Sequence, residues 1–311
     1  MEITEIISEL EIYTDEFPRQ ALERAIEEKE AITPLLLETI NKYKNNLEEL
    51  DENPDYILHM YAMYLLAQFR ETKAYPIIIE FFSKSGNLIL DVTVDIVTED
   101  LHRILASVYN GNLDLIKKLI ENTEVNQFVR SAGLNSLIVL VVNDLITREE
   151  IIKYFEYLFL NQVEPENSSF WTYLVDTCIS IYPLELKTYI DKVFEEDLVD
   201  LLYVNQQNVD EVLEIGLTKS LKETCKNHYY SLIKSSIKEM KKMTGFNEHS
   251  QKELFRKIDL LMNNKGFLSE NSIFNELDSS HNNQKNESKI KKKKNMQKKS
   301  RKNNRSKKKK R

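Results

Sequence analysis

Residues 56–67 read Tyr-Ile-Leu-His-Met-Tyr-Ala-Met-Tyr-Leu-Leu-Ala, a helical run that is apolar on nearly every side. A helix of that kind cannot lie on a surface; it needs neighbours around most of its circumference. After a polar break and Tyr75-Pro76, a second apolar run follows at 77–82. The form then returns. Leu101-His102-Arg103-Ile104-Leu105-Ala106-Ser107-Val108 is followed by a break at Asn110-Gly111-Asn112 and a further helical pattern over 113–122. One helical hairpin after another is predicted.

The flanking chain repeats the pattern more weakly. Ile3, Ile6, Ile7 and Leu10 mark a short amphipathic helix, and Pro18 suits a first helical position. Thr33-Pro34 reads as the N-cap and first residue of a helix whose stripe is Leu36, Ile40, Tyr43, Leu47 and Leu50, at steps of 4, 3, 4 and 3. Asn53-Pro54-Asp55 closes that hairpin. Beyond the centre, Thr147-Arg148-Glu149-Glu150 is a capping box for a helix over 151–160. Further helices are expected near 207–224, 228–244 and 250–263. Taking Ala67, Ala106, Ile138 and Val175 as equivalents gives steps of 39, 32 and 37 residues. That spacing fits degenerate helix-pair repeats of the HEAT kind, each pair covering its neighbour's apolar face. The expected fold is all-α, an α-solenoid of stacked helical hairpins.

One stretch departs from this. Leu88, Leu90, Val92, Val94 and Ile96 alternate at period 2, which signals a strand. No partner strand is evident, and a lone strand leaves its backbone groups unpaired. An extended connector between repeats is expected there, with Thr98 capping the next helix and Glu99 and Asp100 in its first turn.

Composition excludes several classes. Six Gly and six Pro in 311 residues are too few for a turn-rich β-sandwich or a glycine-looped nucleotide site. The acidic start Met1-Glu2-Ile3-Thr4-Glu5 lacks the basic lead and apolar centre of a secretory signal. No apolar run reaches the roughly 18 residues of a membrane span. Two cysteines, Cys178 and Cys225, form no disulfide framework, so a reducing cytoplasm is expected.

The net charge of −7 conceals two opposite parts. Of the 43 basic residues, 15 lie in 289–311, which has no acidic residue; the rest of the chain carries 28 basic against 50 acidic residues, a net −22. The basic residues fall into three clusters: Lys291, Lys292, Lys293 and Lys294; Lys298, Lys299, Arg301 and Lys302; and Lys307, Lys308, Lys309, Lys310 and Arg311. A polycation of this kind binds phosphates by counterion release with little sequence preference. No aromatic residue is interleaved, which argues against base stacking. The composition divides the chain into a helical-repeat domain over 1–265, a polar linker over 266–288 and a disordered Lys/Arg-rich tail over 289–311. In a eukaryotic compartment the same clusters would read as a nuclear localisation signal.

Phe17-Pro18-Arg19-Gln20-Ala21-Leu22, the run from Tyr61 to Arg70, Ala74-Tyr75-Pro76 and the run from Thr98 to Ala106 together resemble a bacterial protein family of unknown function, the family numbered 1186. The resemblance covers about residues 1–246. It implies an all-helical, HEAT-like domain and no catalytic residues. Some members append a cysteine-rich zinc motif of the SEC-C type; here no cysteine follows Cys225, and the lysine-rich tail stands in that place.

Few constellations carry chemistry. Glu99, Asp100, His102 and Arg103 form the densest polar set in the central stretch and are a candidate surface cluster, since a carboxylate near a histidine can do acid–base work. A capped helix start with a solvated ion pair is the preferred explanation of them. Cys225 and His228 have Cys-x-x-His spacing, but a structural zinc site wants four ligands. Tyr61, Tyr64 and Trp171 could line a peptide groove, although aromatic residues at helical spacing usually belong to a core. No cofactor or metal is expected. The reading is a non-enzymatic helical-repeat scaffold that binds a protein partner on a concave surface, with the tail touching polyanions. A nucleic-acid- or ribosome-associated protein tethered by 289–311 is the alternative, and an enzyme on a helical scaffold the second.

Overall fold

The computed structural model describes residues 1–14, 16–165 and 168–242. Among them the chain is all-helical. In order come α1 (Ile3–Glu11), α2 (Arg19–Glu27), α3 (Lys29–Tyr43), α4 (Leu47–Asp51), α5 (Leu58–Phe69) and α6 (Ala74–Phe82). Then follow α7 (Leu88–Thr93), α8 (Ile96–Glu99), α9 (Leu101–Ser107), α10 (Leu113–Glu121), α11 (Gln127–Val142) and α12 (Arg148–Asn161). The series ends with α13 (Phe170–Ile179), α14 (Lys187–Glu195), α15 (Gln206–Ile215), α16 (Leu217–Lys226) and α17 (Ser236–Met240), with 3-10 turns at Leu184–Leu186 and His228–Tyr230.

The apolar pattern of the central run has its expected outcome: every residue of α5 except Gln68 is buried. Four elements cover it, α3 and α9 with α1 and α17. Packing passes along the chain from α3 to α5, α5 to α9, α9 to α11 and α11 to α13. Helix α6 lies against α3 and α9, and α10 joins α6 to α11. The buried residues of these helices form one continuous core, so a chain with few sharp consensus positions still packs as one body. Gly133 serves this packing. A Cβ there would stand 2.8 Å from the Ile120 side chain, so its absence lets α10 and α11 approach.

Three local expectations are corrected. Residues 88–97 are neither strand nor extended connector but α7 and α8, joined at Val94 with φ +47°. The buried set is Ile89, Val92, Thr93, Ile96 and Val97. Its steps of 3, 1, 3 and 1 are helical, and the alternation overlaid on it comes from half-buried Leu88 and Leu90 and exposed Val94. Thr33-Pro34 does not start a helix. Helix α3 begins at Lys29 and carries Pro34 inside it, held by a core stripe of Ile32, Leu36, Ile40 and Tyr43. Thr98 belongs to α8, and Asp100 takes the N-cap position of α9. The capping box at Thr147 is formed as expected.

The C-terminal part of the described chain turns back. Gly216, at φ +83°, divides the helix expected over 207–224 into α15 and α16. Helix α16 and the second 3-10 turn then pack on α11, while α17 reaches α5 and α2. The helix expected at 250–263, the linker at 266–288 and the tail at 289–311 lie outside the described residues. No helix among the described residues is long and apolar enough to cross a membrane.

Candidate functional site

The polar set at the start of α9 is not a surface cluster. Asp100, His102 and Arg103 are buried; Glu99 alone is exposed. The returning segment covers them. The Arg103 guanidinium donates to Asp100 Oδ1 at 2.6 Å, to the Ser231 carbonyl at 2.8 Å, to Ser231 Oγ at 3.0 Å and to Glu239 Oε1 at 3.2 Å. Tyr64 Oη donates to the other Asp100 oxygen at 2.8 Å. Ser107 Oγ accepts from the Ile233 amide at 2.9 Å. Gln68, the one residue of α5 that is not buried, accepts from both the amide and the hydroxyl of Ser236. A buried guanidinium needs its charge and its donors satisfied together, and here two carboxylates and a loop do both. The set is a latch that ties residues 229–239 to α5 and α9.

His102 belongs to the same latch. Its Nε2 lies 2.6 Å from the Tyr229 carbonyl, which can only accept, so Nε2 carries the proton. Burial lowers its pKa to about 3, the Tyr229 carbonyl opposing and the Arg103 charge reinforcing, so the ring is neutral. Burial raises the Glu239 carboxyl, but the Arg103 and Lys242 hydrogen bonds and charges outweigh this and hold it at about 2.

Beside His102 the surface opens into a cavity of about 370 Å³. Helix α11 supplies one wall through Phe128, Ser131, Ala132 and Asn135, at steps of 3, 1 and 3 that share one face. Helix α13 supplies Tyr173 and Asp176, also three apart. Val97 and Thr98 close the α8 end, Tyr203 leans in from the turn before α15, and Tyr229 comes from the 3-10 turn stacked on His102 with ring centres 4.1 Å apart. Tyr173 meets Tyr203 edge to face at 5.8 Å and 87°, and Phe128 lies 6.1 Å from Tyr173. Asp176 is half-buried, and burial raises its carboxyl above the ordinary range.

The other candidates resolve into structure. Tyr61, Tyr64 and Trp171 are core residues. His59 is buried, its Nε2 donating to the Val92 carbonyl at 2.7 Å, and burial lowers its pKa to about 4. His228 sits 3.4 Å from Glu239, and no group of three or more His, Cys, Asp or Glu able to hold a metal gathers among the described residues. Both cysteines are free. The thirteen basic side chains from Lys291 to Arg311 named above lie outside the described residues. The cavity residues Phe128, Tyr173, Asp176, Tyr203 and Tyr229 were not legible as a site. One signal was available: Leu201-Leu202-Tyr203 is an apolar run outside any periodic pattern, and all three residues are exposed.

Residues 1–247 match the family described as protein of unknown function, DUF1186. A protein of Chlamydia trachomatis described as uncharacterised is 37% identical over 243 residues, covering 78% of this chain and 96% of that one. A protein of Chlamydia muridarum, described the same way, is 36% identical over the same shares. No solved structure matches the chain. With the family pattern extending over the latch and every wall of the cavity, the chain belongs to the DUF1186 family.

Proposed function

We propose that this protein is a non-enzymatic helical scaffold that binds a protein partner in the cavity between α8, α11 and α13. The observation that carries this reading is the division of labour at α9. Asp100, His102 and Arg103 are consumed in holding the C-terminal segment. The open space beside them is lined by aromatic rings, an amide, hydroxyls and one carboxylate. That is the lining of a recognition site: apolar faces for area and a few polar groups for orientation. A stack of helices positions such a site rigidly, and the acidic balance of residues 1–288 favours a basic partner.

The test is a photo-crosslinking amino acid placed at Phe128 or Tyr203 in the full chain, expressed in its own cells, with Glu23 of α2 as control position. A defined protein adduct from the cavity positions and none from Glu23 is the expected result. Equal adducts from all three positions would overturn the reading. The basic clusters of 289–311 support a second contact, with RNA or DNA phosphates, through counterion release.

A further inference from the structure

We propose that the cavity binds an ammonium group carried on an alkyl chain, held between the rings of Tyr173, Tyr203 and Tyr229 and the carboxylate of Asp176. This rests on the cavity being a binding site and adds the chemistry of what enters it.

The first argument is the way this fold treats its other carboxylates of low exposure. Asp100 and Glu239 share Arg103. Glu164 is held by Arg130 through two parallel bonds, at 3.0 and 2.6 Å. Asp176 differs: no hydrogen bond or ion pair reaches it among the described residues, and no cation offsets the effect of its burial. A carboxylate withdrawn from water and left without a donor is unfavourable, and a ligand cation removes that penalty.

The second argument is the arrangement of rings. Tyr173 and Tyr203 stand at right angles and present a corner of two ring systems. Aromatic faces attract a cation through their quadrupole, and a cage of such faces is the established way to hold an alkylated ammonium. A compact, rounded ammonium fills such a corner better than a flat guanidinium, which prefers stacking and a bidentate acceptor. The neutral His102 ring beneath Tyr229 places no competing charge against the site.

The third is that the protein already builds this combination for a cation of its own. Arg130 lies 4.3 Å over the Phe170 ring while paired with Glu164. The cavity has the same two components, ring face and carboxylate, and the cation comes from a ligand. A volume of about 370 Å³ suits a lysine side chain with its neighbours or a free quaternary amine.

The experiment uses full-length protein carrying 3-fluorotyrosine, with the fluorine signals of Tyr173 and Tyr203 assigned through their Phe variants. Three probes are titrated: N-acetyl-lysine N-methylamide, choline, and 3,3-dimethylbutanol, which has choline's bulk without its charge. A cationic probe should shift both signals and the neutral one should not. Asp176→Asn, which keeps the shape, should weaken the cationic probe by about tenfold or more and raise Tm, because an unpaired carboxylate has been removed. Tyr203→Ala, at an exposed turn, is the second variant and should weaken it too. Equal shifts from choline and its neutral counterpart, unchanged binding by Asp176→Asn, or no shift from any probe would overturn the proposal. Tighter binding of the lysine derivative assigns the ammonium to a protein side chain; tighter binding of choline assigns it to a small molecule. A partner crosslinked from the cavity with no probe binding overturns the ammonium assignment alone. Probe binding with no crosslinked partner sustains it and overturns the protein-partner reading.

Discussion

His59 and His102 are both buried and neutral, and each donates from Nε2 to a backbone carbonyl. Their folded pKa values, about 4 and about 3, lie below the ordinary 6.5. The unfolded chain therefore takes up protons first as pH falls. The stability tied to these rings is full above about pH 6.5 and is lost from there down towards about 4 for His59 and about 3 for His102. Between pH 7.5 and 5 the loss should be about 2 kcal/mol per histidine in urea unfolding. His102→Gln keeps a donor at the Nε2 position without titrating, so it should flatten its share of that slope; an unchanged slope would refute the assignment. Glu239 acts in a lower window. Its folded value is depressed, so its contribution is present above about 4.5 and fades as pH falls towards 2. Val94 gives a second residue-scale prediction. It is an exposed β-branched residue at φ +47°, where strain of about 1–3 kcal/mol is usual. Val94→Gly should raise stability by about 1 kcal/mol in the same assay. This strain was not legible beforehand, because the alternation of 88–96 suits an extended backbone, in which Val94 would be relaxed.

Elements differ in how much their own sequence says. Helix α5 announced its burial through an apolar pattern with no polar face, and Leu66 is fully buried. Leu66→Ala, or Leu105→Ala in α9, should cost about 2–5 kcal/mol, read from the shift in denaturation midpoint. A cost below about 0.5 kcal/mol would mean that the faces are misassigned. The returning segment was expected as one helix over 228–244; the described part is instead the second 3-10 turn and the short α17. Its turn and α17 are short, and what holds them is the latch to residues more than a hundred positions away. Arg103→Met leaves Asp100 buried without its cation and Glu239 with Lys242 alone, and should cost about 3–5 kcal/mol. Amide exchange in 229–240 should accelerate before that of α12 and α13. Uniform acceleration throughout would show that the segment is no separable unit.

At the scale of the whole molecule, opposite charges are segregated along the chain: 15 basic residues in 289–311 against a net −22 elsewhere. If the tail contacts phosphates, binding to bulk RNA should fall steeply between about 50 and 200 mM salt and vanish when 289–311 is deleted. Binding that survives the deletion would place the contact on an acidic body, against its charge. Two properties meet in one molecule on this reading: a cavity that selects by shape and charge, and a cationic sequence that contacts phosphates with little preference.

What the sequence determined by itself was whatever depends on local pattern. Helix-period apolar stripes and scarce glycine and proline required an all-helical chain, and an all-round apolar helix required a core built on both sides of it. The capping box at Thr147 was legible because all its partners lie within four residues. Tertiary structure decided the rest. The Asp100–Arg103 set reads the same in sequence whether it faces water or Glu239; only the return of the chain buries it and makes it a latch. Tyr173 and Asp176 share helical spacing on α13, but no periodicity links them to Tyr203 or Tyr229, which lie on separate segments. Only folding sets three rings and one carboxylate around a common cavity, with no cation paired to that carboxylate among the described residues.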